Sequence, residues 1–83
     1  MFDTRQKYVR LKQYNSIIIF NSIIEHAEFK NLEPTSAGFC YVNENSVDCF
    51  GESISLNLKS NPTDSMFATK QIFGWEAAEK IKK

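Results

Sequence analysis

The sequence predicts a small α+β domain, in which a three-stranded, mainly antiparallel sheet carries two helices mainly on one face. A third helix is added if residues 1–13 are helical. Three observations lead there. Ser16–Phe20 is a run of isoleucines ending in Phe, Ser36–Ser60 alternates around a polar turn, and Asn61 opens a set of helix-start signals. A chain of 83 residues has room for a single domain with one modest core.

Residues 1–13 support two readings. Asp3 or Thr4 can cap a helix over Arg5–Gln13 with Tyr8 and Leu11 on one side, or the same residues form a strand with Val9 and Leu11 facing one way. A short helix or a loosely attached arm is favoured. Ser16–Phe20 reads as a strand because β-branched and aromatic neighbours crowd one another in a helix. Its apolar side chains point both ways, which suits a buried central strand. Ser22 then begins a helix with Glu25 three residues on, the reciprocal capping pattern. That helix runs to about Leu32 with Ile23, Ala27 and either Phe29 or the stem of Lys30 inward, and Pro34 stops it.

The long hairpin follows. With Asn43–Ser46 as the loop, Val42 faces Val47, Tyr41 faces Asp48, Cys40 faces Cys49 and Phe39 faces Phe50. Gly51 raises a fork. A regular strand puts Ile54, Leu56 and Leu58 on the side of Phe39, Tyr41 and Phe50, whereas a bulge puts them with Cys40 and Cys49. An unbroken strand over Ser46–Leu58 would span about 43 Å, long for such a domain, so a bulge or bend at Gly51 is favoured. Asn61 then serves as a helix N-cap, Pro62 occupies the first helical position, and Asp64 suits the positive end of the dipole. Ala68, Ile72 and Trp75 recur at helical spacing, Met66 and Phe73 widen the stripe, and the pattern continues to about Lys82.

The hydrophobic fraction of 42% and charged fraction of 24% are ordinary globular values, and seven Phe, three Tyr and one Trp exclude a solvated disordered tail. Net charge is zero but unevenly placed, with basic residues 1–13, an acidic middle and a basic end at Lys80, Lys82 and Lys83. Such a balance exerts no general pull on nucleic acid or anionic membranes. Opposite-sign regions suit docking on a copy of the same chain, and they serve equally as solvated faces. No signal-peptide pattern, membrane-length apolar run or glycosylation sequon is found, so the cytoplasm is the expected compartment and the two cysteines are expected reduced. Abundant Ile, Asn, Lys and Phe suit an AT-rich bacterial or phage genome.

Catalytic chemistry is not indicated. Cys40 and Cys49 form a candidate thiol pair, yet their spacing is not that of a redox or zinc motif, and two small buried hydrophobes give the same pattern. His26, the only histidine, could join them and an acid around zinc, although nothing in the spacing asks for it. Ser53 or Ser55 with His26 and Asp48 lacks a nucleophile elbow. No phosphate-cradling loop exists because Gly38, Gly51 and Gly74 are isolated, and no cofactor is expected.

Gly38-Phe39-Cys40-Tyr41-Val42 resembles the middle of the RNP1 motif of RNA-recognition domains. The resemblance implies Phe39 and Tyr41 as base-stacking residues, with Ile17–Asn21 near the RNP2 position. The chain departs from the motif at Ala37, Cys40 and Glu44, and Ile18 stands where RNP2 carries an aromatic. Single-stranded nucleic-acid binding through these aromatics and through Arg5, Arg10, Tyr8 and Tyr14 is therefore the alternative function. The leading expectation is a non-enzymatic interaction module that self-associates through Phe39, Tyr41 and Phe50. A sheet apolar on both sides needs two covers, and a short chain has little material for both.

Overall fold

The computed structural model describes residues 5–13 and 16–74. The caps proposed at Asp3 and Thr4, the candidate contact Tyr14 and the helical continuation through Trp75 to Lys82 lie outside the described residues. Four strands form the main sheet: β1 (Gln6–Leu11), β2 (Ser16–Phe20), β3 (Pro34–Val42) and β4 (Val47–Phe50), in the order β2-β1-β3-β4 and antiparallel throughout. A 3-10 helix, His26–Leu32, lies between β2 and β3. After β4 come a two-stranded hairpin of β5 (Glu52–Ser53) and β6 (Leu58–Lys59), then α1 (Asp64–Phe73).

The sheet thus has four strands, not three, because the N-terminal segment is neither helix nor arm. Gln6–Leu11 pairs along both sides and makes β1 a central strand. Its period of two explains this: Val9 and Leu11 face one way and Tyr8 and Arg10 the other, so both faces of a central strand are used. β2 keeps its expected limits but is an edge strand, since β1 separates it from β3. The β3–β4 hairpin has the register expected from sequence, from Val42 opposite Val47 to Phe39 opposite Phe50.

The helix expected from Ser22 is replaced by turns and the later 3-10 helix. Glu25 makes no side-chain cap, and Asn21 Oδ1 instead accepts from the Ile23 amide at 2.8 Å. Ile23 consequently points outward at 84% exposure, while His26 and Phe29 turn inward. The two helices also lie on opposite faces rather than together. Tyr8, Ile17, Cys40, Val47 and Ala68 form one core beneath α1, which we call the inner face. Val9, Leu11, Phe20 and Ala37 form a second core on the outer face, covered by Phe29, Leu56 and Leu58.

Gly51 settles the fork. Its φ of 80° lies in the left-handed region that favours glycine, and β4 ends just before it. The expected bend is present, but the chain folds back as a separate hairpin over the outer face instead of resuming β4 with a bulge. Leu56 and Leu58 therefore arrive on the Phe39 side, and Ile54 is exposed at the tip. Gly38 meets a different need: a Cβ there would collide with the Phe50 carbonyl oxygen.

α1 begins close to the expected place, with Asp64 as its first residue and Thr63 before it rather than Pro62 and Asn61. Asn61 Oδ1 accepts from the Thr63 amide at 2.9 Å, and Asp64 Oδ2 reaches back to the Asn61 amide at 2.8 Å, a reciprocal cap one turn ahead of the regular helix. Its inward residues are Asp64, Ala68 and Thr69, whereas Met66 and Ile72 of the expected stripe are exposed. Side chains of α1 also close the sheet margins. Ser65 Oγ and Thr69 Oγ1 accept the Cys49 and Val47 amides of β4 at 2.8 and 2.9 Å. At the other margin the Gln71 amide both accepts from Ile17 N and donates to Ile17 O of β2, each at 2.8 Å.

Candidate functional site

The outer face carries a continuous row of rings. Phe29 packs on Phe20 at a centroid distance of 4.5 Å, and His26 stands edge-on to Phe20 at 5.6 Å and to Phe39 at 5.7 Å. Phe39 lies 6.2 Å from Phe50, which stacks on Tyr41 at 5.5 Å with an interplanar angle of 24°. Alternation explains the row: Phe39 and Tyr41 are two apart on β3, and Phe50 is the cross-strand partner of Phe39. At one end Phe29 is half-buried beside the buried Phe20. At the other end Tyr41 and Phe50 are each 37% exposed, and Phe39 is half-buried beneath the Arg5 guanidinium, whose Cζ lies 4.3 Å from the ring centroid. The three expected interface residues are thus together, with two of them open to solvent.

Charge is ordered across this strip. Lys7 pairs with Phe39 from the β1 side and donates its Nζ to Ile24 O at 3.0 Å, so Arg5 and Lys7 make a basic margin. On the β4 side Asp48 stands opposite Tyr41 and accepts from Asn43 Nδ2 at 2.9 Å. His26 holds the row to the sheet through a 2.8 Å hydrogen bond between Nε2 and Gly38 O. His26 is buried, and its sequence neighbours Glu25, Ala27 and Glu28 give no signal for this role.

The residues proposed for nucleic-acid contact are dispersed. Tyr8 is fully buried on the inner face, and its hydroxyl donates to Asp64 Oδ2 at 2.5 Å. Burial first, and that bond second, push its phenol well above the usual range. Tyr8 therefore has no ring face to offer a base. Arg10 is directed inward too, paired with Asp64 Oδ1 at 3.0 Å and lying over Phe67 at 4.2 Å. Arg5 alone of the three described residues accompanies the strip. The RNP2-like strand fares no better, since β2 is separated from β3 by β1.

Asp64 is the functional-looking residue whose position the sequence did not disclose. Its carboxylate is fully buried and also receives the Ser36 hydroxyl at 2.8 Å, so β1, β3 and the start of α1 meet on one side chain. Among the described residues it binds Tyr8, Arg10, Ser36 and the Asn61 amide, and so locks three elements together. Cys40 and Cys49 are both free thiols opposite one another on the inner face, while His26 is on the outer face. The residues weighed as a zinc set are therefore divided by the sheet. Ser53 Oγ accepts from Leu56 N at 3.3 Å and lies 3.4 Å from Ser55 Oγ, so it is joined to its own turn. No helix among the described residues is long and apolar enough to cross a membrane. In comparison with known proteins, the chain matches no family model, no curated protein and no solved structure.

Proposed function

We propose that the protein is a non-enzymatic interaction module that pairs with a second copy of itself through Phe39, Tyr41 and Phe50. The observation that carries this reading is the stacked Tyr41–Phe50 pair, exposed at the end of an aromatic row whose other rings are buried or half-buried. Aromatic side chains of this kind anchor interfaces, and each contributes roughly 1.5–3 kcal/mol when fully buried. The margins of the sheet support a face-to-face contact over strand addition, because α1 occupies hydrogen-bonding groups on both outer strands. Charge favours a copy of the chain as the partner. A two-fold axis in the contact plane and parallel to the strands brings the Arg5–Lys7 margin of one copy against the Asp48 margin of the other.

Sedimentation over a concentration series tests the reading. Association toward twice the 9.6 kDa chain mass is expected. Tyr41→Glu and Phe50→Glu should remain folded and sediment as monomers. A wild-type chain that stays monomeric at the highest attainable concentration defeats the proposal. Loss of folding in both variants would instead assign the rings to the core. A labelled single-stranded oligonucleotide provides the control for the alternative function. Salt-sensitive binding that requires Arg5 would move the strip into that class, although Glu44, Asp48 and Glu52 around the hairpin oppose phosphate.

A further inference from the structure

We infer that Cys40 and Cys49 are a modification site at which a small-molecule disulfide closes a reversible cross-strand bridge within one folded chain. The two residues are directly opposite in the β3–β4 ladder. Cys49 directs its amide to Ser65 Oγ and accepts Ser65 Oγ on its carbonyl at 3.3 Å, so its backbone polar groups face away from β3. Cys40 and Cys49 are consequently a non-hydrogen-bonded pair, the class in which antiparallel strands approach most closely, with Cα atoms about 4.5 Å apart. That separation falls at the near end of the range a disulfide spans. Both side chains enter the inner core, and both thiols are free.

The surroundings define the order of events. Cys40 is fully buried, whereas Cys49 is half-buried as a residue and is the member of the pair nearer to solvent. Burial pushes the Cys40 thiol up to about 11 and, together with the neighbouring Cys40, raises Cys49 further. The pair is therefore held as thiols at neutral pH and resists casual oxidation. With oxidised glutathione as co-reactant, the Cys49 thiolate attacks one sulfur, forming a mixed disulfide and releasing one glutathione thiolate. Cys40, deprotonated in turn, attacks the Cys49 sulfur and releases the second. Two protein thiols and one glutathione disulfide become one protein disulfide and two glutathione thiols. Because Phe39 and Phe50 are the next pair along the same ladder, the bridge also fixes the strand spacing under the aromatic strip.

The experiment incubates native protein with glutathione buffers of increasing oxidation, traps free thiols by alkylation and measures intact mass. The expected product has lost two hydrogens, takes up no alkyl group and runs as a single chain. It keeps its circular dichroism and melts several degrees higher, and dithiothreitol reverses the change. The rate should rise about tenfold per pH unit from neutrality, following the thiolate fraction. Cys40→Ser should stop at one glutathione on Cys49, and Cys49→Ser should remain unmodified while folded. Stable mixed disulfides on the wild type, bridges only between chains, or closure only in urea would each overturn the inference.

Discussion

The residue on which most of the fold converges is Asp64, a carboxylate without solvent contact that gathers Tyr8, Arg10, Ser36 and the Asn61 amide. Removing a buried carboxylate leaves desolvated donors such as the Tyr8 and Ser36 hydroxyls without their acceptor. Asp64→Ala should therefore lower unfolding stability by about 3–5 kcal/mol in urea titrations, whereas Tyr8→Phe should cost about 1.5–3 kcal/mol. A second prediction concerns alkali. Tyr8, Cys40 and Cys49 all have raised values in the folded chain, against ordinary values of 10.0 for Tyr and 9.0 for Cys. Below about pH 8 both states hold these protons and the stability they confer is complete. As pH rises through the unfolded values, only the unfolded chain releases them, so stability falls by up to about 1.4 kcal/mol per pH unit for each group. Urea midpoints measured between about pH 8 and 10.5 should decline accordingly, and less steeply in Tyr8→Phe. A flat profile would show that these groups are not sequestered.

At the scale of elements, local chemistry was legible wherever it also determined packing. Ser16–Phe20, the Val42–Val47 register and the Asn61–Asp64 start of α1 all follow from neighbours within a few residues. The N-terminal strand was not legible, because alternation over Lys7–Leu11 competes with a helical Tyr8–Leu11 spacing, and only pairing on both sides decides between them. Likewise the fold-back at Gly51 depends on an uncovered patch at Val9, Leu11 and Ala37 that distant strands create. Of the candidate site, the three rings on one face could be read from alternation, but the cover that Arg5 gives Phe39 could not. The hydroxyls at Ser65 and Thr69 are four apart and so share a helix face, a signal for edge closure that apolar periodicity obscures. Gly38→Ala should cost about 1–3 kcal/mol, since the Phe50 carbonyl has to move. Thr69→Val leaves the Val47 amide without its acceptor, and an increased tendency to aggregate on heating is the expected readout, followed by light scattering.

For the whole molecule, two thin cores on opposite faces share one sheet, the inner sealed by α1 and the outer by Phe29 and the β5–β6 hairpin. The outer seal stops short of Tyr41 and Phe50, which is why association belongs at this scale. If the proposed two-fold pairing holds, Asp48→Arg and Arg5→Glu should each weaken self-association by about three- to tenfold, as rim charges do. Mixing the two variants should restore it in sedimentation, because each then supplies the charge that the other lacks. Failure of the mixture to recover would place the contact in another orientation. The dependence on α1 also bears on biosynthesis. As translation proceeds, β1 through β4 emerge from the ribosome before the helix that supplies Ser65, Thr69 and Gln71. Until those side chains arrive, the nascent sheet presents two open rims and a bare hydrophobic side, the state in which chaperone capture competes with misassembly.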